Sequence, residues 1–155
     1  MKAETADYLA KARATFADAQ KIAALPLPHI AAREAYLAAF HAAEAYIFEQ
    51  SGKVAKTHRG VRSEFTRLAR TEPRIGRDLV TFLGAAYQFK TRADYAIGST
   101  ATPITYAEAT AAIATTARLR KTRRPRRRGS IYLVLRAGRH FCRFRRVSER
   151  SFSPA

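Results

Sequence analysis

The chain has 155 residues, 47% hydrophobic and 26% charged, which suits one domain with a real core and is too short for two. This composition excludes wholesale disorder, and no run approaches the ~18 uninterrupted apolar residues of a membrane-spanning helix. The net charge of +17 is uneven: residues 1–120 hold 17 Lys+Arg against 11 Asp+Glu, a net of +6, whereas residues 121–155 hold 12 against Glu149 alone, a net of +11.

From Thr5 to Ala24 apolar residues fall at Leu9, Ala12, Phe16, Ala19 and Ala23, a 3-4 spacing that predicts one helix, ended by Pro26 and Pro28. A second helix is expected from about Ile30 to Gln50. It is rich in alanine, with Ile30, Leu37, Phe40, Ile47 and Phe48 among its buried residues and Gly52 free to form a left-handed cap. Thr57 is a candidate N-cap for a short third helix through Ala69, whose core side is Val61, Phe65 and Leu68. The stripe Ile75, Leu79, Phe82, Leu83, Ala86, Phe89, Ala93 predicts a fourth helix over about 74–95. After a loop from Gly98 to Pro103, Thr105 and Glu108 have the spacing of a capping box, opening a fifth helix to about Leu119. No alternating strand pattern competes in this region. The expected fold is all-α, an antiparallel bundle of about five helices over residues 1–119.

From Arg118 the character changes: residues 118–128 read RLRKTRRPRRR, a short apolar run follows at 131–135, and arginine-rich sequence resumes. Residues 120–155 are expected to be a basic, irregular tail without a stable core of its own. Arg123, Arg124, Arg126, Arg127 and Arg128 would neutralise phosphates of RNA or DNA without sequence preference, or would pair with an acidic partner. Alternatively the tail stems from a shifted reading frame, since GC-rich coding sequence read out of frame yields Arg, Pro, Ser and Gly. Cys142 is the single cysteine, so no internal disulfide forms, which fits a reducing cytoplasm. The polar N-terminus offers no apolar run for a secretory signal, and a cytoplasmic protein with no membrane association is expected.

Three blocks carry a family resemblance. The first is Ala32-Arg-Glu-Ala-Tyr-Leu-Ala-Ala-Phe-His-Ala-Ala-Glu-Ala-Tyr46, with its aromatic-Ala-Ala-Phe-His-Ala-Ala pattern; the second is Lys56-Thr-His-Arg-Gly-Val61 with Glu64-Phe65; the third is Arg92-Ala-Asp-Tyr95. In order and spacing they resemble HEPN domains over roughly residues 5–119. The resemblance implies a helical bundle that dimerises, is often encoded beside a minimal nucleotidyltransferase, and acts in toxin–antitoxin or RNA-defence systems. Active members are metal-independent ribonucleases with an Arg and a later His separated by four to six residues. The equivalent Arg here is Arg92, and Ile97, Gly98 and Ser99 stand where the His would be.

Several residues are therefore candidates. Arg33 and His41 lie eight apart, slightly over two turns, and project from nearly one face of the second helix. Such a pair would support RNA cleavage, His taking the 2′-OH proton and Arg stabilising the phosphorane; otherwise His41 packs and Arg33 is a surface charge. His58, beside Arg59 and Arg62, would contact a phosphate at a helix N-terminus, or would organise the start of the third helix. Arg92, Asp94 and Tyr95 would line a polar groove at a dimer interface; alternatively Asp94 pairs with Arg92 or caps backbone and Tyr95 packs with its polar tip outward. His29 is read as a surface residue. No Cys/His spacing suits a metal and no glycine-rich phosphate loop occurs, so neither metal nor cofactor is expected. The leading expectation is a dimeric partner of a nucleotidyltransferase without the usual ribonuclease motif. The alternatives are a metal-independent ribonuclease using Arg92 with His41 or His58, and an accessory protein that binds nucleic acid through its tail.

Overall fold

A computed structural model of the protein describes residues 1–73, 75–95 and 103–118. Within them the chain forms six helices and no strand: α1 (Ala3–Ile22), α2 (Pro28–Ser51), α3 (His58–Ala69), α4 (Arg77–Ala85), α5 (Tyr87–Tyr95) and α6 (Tyr106–Arg118). The all-α bundle is thus present. The expectations placed on the tail, including Arg123, Arg124, Arg126, Arg127 and Arg128, fall outside the described residues.

α2 is the central helix and touches every other one. It has little amphipathic contrast because it is covered nearly all round, burying Ala31, Ala32, Ala35, Tyr36, Ala38, Ala39, Phe40, Ala42, Ala43, Ala45 and Ile47. Its alanines let neighbours close in: Ala38 and Ala42 pack against Ala12 and Phe16 of α1. α1 runs antiparallel to α2, and its start is fastened to the end of α2. There the Lys2 backbone N–H and the Thr5 hydroxyl both donate to Glu49 Oε2 at 2.8 Å. α6 is tied to the first half of α2 by a buried bond from Thr116 Oγ1 to the Ala35 carbonyl, 3.0 Å. α3 lies across α2, with His58 against Phe40 and Phe65 against Tyr46.

Local signals set most helix ends. Pro28 occupies the first turn of α2, where its missing N–H costs nothing. Gly52 caps α2 at φ 73°, a left-handed conformation that costs glycine little. The Thr57 hydroxyl accepts the Gly60 N–H at 3.0 Å. At α6 the expected capping box is complete: Glu108 N–H donates to Thr105 Oγ1 at 3.1 Å and Thr105 N–H to Glu108 Oε2 at 2.7 Å.

Three details differ from the sequence expectation. α1 stops at Ile22, and Ala23, expected inside, is exposed because the chain turns there through bonds from Ala24 to Lys21 and from Leu25 to Ile22. The single helix expected over about 74–95 is two, interrupted at Ala86. There Arg62 of α3 donates to the Gly84 carbonyl at 3.2 Å, an acceptor that an unbroken helix gives to its own chain, and Phe89 N–H turns to the Ala86 carbonyl at 3.0 Å. His29, expected at the surface, is half-buried.

Candidate functional site

The polar side chains with the richest chemistry meet where α2, α3 and α5 converge. Tyr36, Phe40 and Glu44 recur every fourth residue along one stripe of α2, with His41 beside them. α3 contributes His58 and, one turn on, Arg62; α5 contributes Tyr87, Lys90 and Asp94. The Phe40 ring is 4.3 Å from His58 and 5.7 Å from His41, centroid to centroid, so both imidazoles border one aromatic ring. Tyr36 stacks on His58 at 5.8 Å, and Tyr87 tilts against it at 5.5 Å. The Arg62 guanidinium lies 4.3 Å above the Tyr87 ring, a cation–π contact that also fixes α3 to α5.

The two histidines are wired differently. His58 Nδ1 and the fully buried Tyr36 hydroxyl share a hydrogen bond of 2.8 Å. Burial, above all, pushes the Tyr36 pKa well above its ordinary 10, so the phenol keeps its proton. With no other acceptor described for that proton, Tyr36 donates to Nδ1 and the His58 ring proton sits on Nε2. Burial, and then the charge of Lys90, lower the His58 pKa below 6.5, so the ring is neutral near pH 7. His41 instead has its Nδ1 2.7 Å from Glu44 Oε2. A carboxylate accepts only, so Nδ1 carries a proton and donates it to Glu44. Neither Nε2 has a described hydrogen bond, and no fully buried side-chain nitrogen or oxygen among the described residues lacks one, so neither Nε2 is completely sealed from solvent.

The other candidates serve different contacts. Arg33 Nε donates to Asp94 Oδ1 and Lys90 Nζ to Asp94 Oδ2, both at 2.7 Å, which ties α2 to α5. Lys90 first, and Arg33 as well, hold the Asp94 carboxyl below its usual range. Asp94 therefore pairs with Arg33 and Lys90, where pairing with Arg92 was one expectation. Arg92 reaches the other way: NH1 donates to Glu108 Oε1 at 2.8 Å and NH2 to the Pro103 carbonyl at 2.7 Å. That pairing, helped by the Thr105 N–H, holds the Glu108 carboxyl down to about 2. Tyr95 is 68% exposed, with Lys90 Nζ 5.2 Å from its ring centroid. Arg59 is exposed on α3.

The structure thus brings His41 and His58 together, places Arg33 and Asp94 beside them through Lys90, and gives Arg92 a bracing role at the start of α6. Tyr36, Glu44, Tyr87 and Lys90 complete the cluster without having been candidates from the sequence, and Arg62, noted there only as a neighbour of His58, joins them. The signal that would have found them is the four-residue spacing Tyr36–Phe40–Glu44 and His58–Arg62.

The family model of the HEPN domain matches residues 5–124. The chain belongs to the HEPN family. That match covers all six helices of the bundle, so the histidine cluster and the Arg92 brace both lie inside the HEPN domain. No curated protein sequence matches the chain. Among the described residues, no helix of this HEPN protein is long and apolar enough to cross a membrane.

Proposed function

We propose that this HEPN protein acts as a homodimeric partner of a small nucleotidyltransferase, in a toxin–antitoxin or RNA-defence setting in the cytoplasm, without ribonuclease chemistry of the usual HEPN kind. The observation that carries this reading is the engagement of Arg92. Its guanidinium is spent on Glu108 and the Pro103 carbonyl, which anchors the start of α6, and Ile97, Gly98 and Ser99 occupy the positions where a partner histidine belongs. Without a histidine at that spacing, the usual HEPN pairing of an arginine with a proton acceptor is not available from this segment.

A second reading has its own support. His41 is oriented by Glu44 through Nδ1, which leaves Nε2 as the nitrogen that would accept a 2′-OH proton, and His58 carries its proton on Nε2 near Lys90. This describes a metal-independent ribonuclease built on His41 and His58 with Arg92 left as a brace. Purified protein incubated with labelled RNA in chelator separates the two. The first reading expects no cleavage that depends on His41, His58 or Arg92. Cleavage lost in His41→Ala and kept in Arg92→Ala would install the second. A small nucleotidyltransferase encoded next to it, co-expressed with it, tests the partnership; absence of such a gene, or failure of the two chains to co-purify, would remove it.

A further inference from the structure

The charge of the helical body is concentrated on one edge. Residues 53–77, which comprise α3 and its flanking segments, hold eight Lys+Arg against two Asp+Glu, a net of +6; the rest of residues 1–120 holds nine of each. Elsewhere four cations face carboxylates: Lys21 with Asp18, Arg33 and Lys90 with Asp94, Arg92 with Glu108. On the α3 edge most do not. Lys53, Lys56, Arg59, Arg70 and Arg77 are exposed, and their side chains have no hydrogen bond or salt bridge among the described residues. Arg67 pairs with Glu64 at 2.6 Å, and Arg62 is turned inward to the Gly84 carbonyl.

Helical spacing turns these charges into a ridge. Arg59, Ser63, Arg67 and Arg70 follow one another at four, four and three residues, opposite the buried Val61 and Phe65, and span about 16 Å of helix axis. Gathering unpaired like charges on one face opposes folding through their mutual repulsion, and an anionic partner would relieve it. The partner's chemistry follows from what the ridge lacks. The exposed large hydrophobic side chains among the described residues are Met1, Leu25, Leu27, Tyr95 and Tyr106, none of them on this edge. A protein interface has an apolar centre, whereas a nucleic-acid interface is polar and positively charged. Guanidinium groups dominate, and they match phosphate oxygens bidentately.

We propose that the outer face of α3 and its C-cap, carrying Arg59, Arg67 and Arg70 with Lys56 just ahead of the helix, is a docking ridge for the phosphodiester backbone of a single nucleic-acid strand. It lies beside His58, whose Nε2–H is not completely sealed from solvent at the start of the same helix. The ridge is distinct from the arginine-rich tail and adds to the RNA-linked reading above, on which it rests.

The test uses the full chain, so the tail is constant. Arg59→Glu/Arg70→Glu on α3 and Lys11→Glu/Lys21→Glu on α1 change the net charge equally, on different faces. Binding of a labelled oligouridylate and of the matching oligothymidylate is measured over a range of salt concentrations. The ridge expects the α3 pair to weaken binding roughly tenfold and to flatten the log–log salt dependence by about 0.7 for each phosphate no longer neutralised, with the α1 pair close to wild type. Lys56→Gln/Arg59→Gln/Arg70→Gln, which adds no new charge, should move binding in the same direction without lowering the thermal melt. Equal losses on α1 and α3 would show that only overall charge or the tail matters, and would overturn the ridge while leaving the RNA-linked reading standing. No binding of either strand by wild type would overturn both. Tighter binding of the ribose strand would assign the ridge to RNA, and equal binding to any phosphodiester strand.

Discussion

The Tyr36 hydroxyl sits 2.8 Å from His58 Nδ1, joining a fully buried residue of α2 to the first residue of α3. The bond fixes the histidine tautomer and pins α3 across the central helix. Tyr36→Phe keeps the ring stack and removes only the hydroxyl, and should cost about 1 kcal/mol in urea denaturation. The lowered His58 pKa is caused chiefly by burial, so an NMR titration of the variant should still place it below 6.5. A return to the ordinary value would show that the hydroxyl, and not burial, sets it.

The same shift makes stability depend on pH. Below 6.5 the unfolded chain takes up a proton at position 58 that the folded chain refuses. The contribution of neutral His58 is therefore complete above pH 6.5 and fades as pH falls through the folded value. His58→Gln should flatten this part of a stability-versus-pH curve. An unchanged slope in that window would remove His58 as its source.

Glu108 behaves in the sense usual for carboxylates. Its pKa falls from 4.5 to about 2 on folding, so its contribution is present above pH 4.5 and is lost as pH drops toward 2. Glu108→Gln should destabilise the protein at neutral pH by on the order of 1 kcal/mol, since the pair is partly exposed and screened. It should also remove this share of the acid sensitivity. Combining it with Arg92→Ala should give less than the summed losses, because the two act on one interaction.

Packing around α2 predicts two further costs. Thr116→Val leaves the shape of a fully buried side chain and deletes its bond to the Ala35 carbonyl, a loss of about 1 kcal/mol. Ala42→Leu forces extra methylenes between α2 and Phe16 of α1 and should cost roughly 1–3 kcal/mol. A neutral Ala42→Leu in urea denaturation would mean that α1 is free to move away from α2.

Much of the fold was legible in the sequence because it rests on local chemistry. A cap depends on residues three apart, so Thr57, and Thr105 with Glu108, announced α3 and α6; Gly52 announced the left-handed end of α2 for the same reason. The stripe on α1 named Leu9, Ala12, Phe16 and Ala19 as buried, and they are. The break at Ala86 was not legible. Alanine favours a helix and the apolar stripe runs straight through it; the break coincides with a contact from a separate helix, Arg62 of α3 donating to the Gly84 carbonyl.

The candidate site divides along the same line. By itself the sequence determined the family, the helices and the identities of the histidines and arginines, since these follow from near neighbours and residue order. Only the tertiary structure decided which of them meet. Arg33 finds Asp94 across 61 positions and Tyr36 finds His58 across 22, whereas Arg92 turns away to Glu108. A side chain's partner depends on which faces of separate helices are buried against each other, and periodicity within one helix does not contain that information.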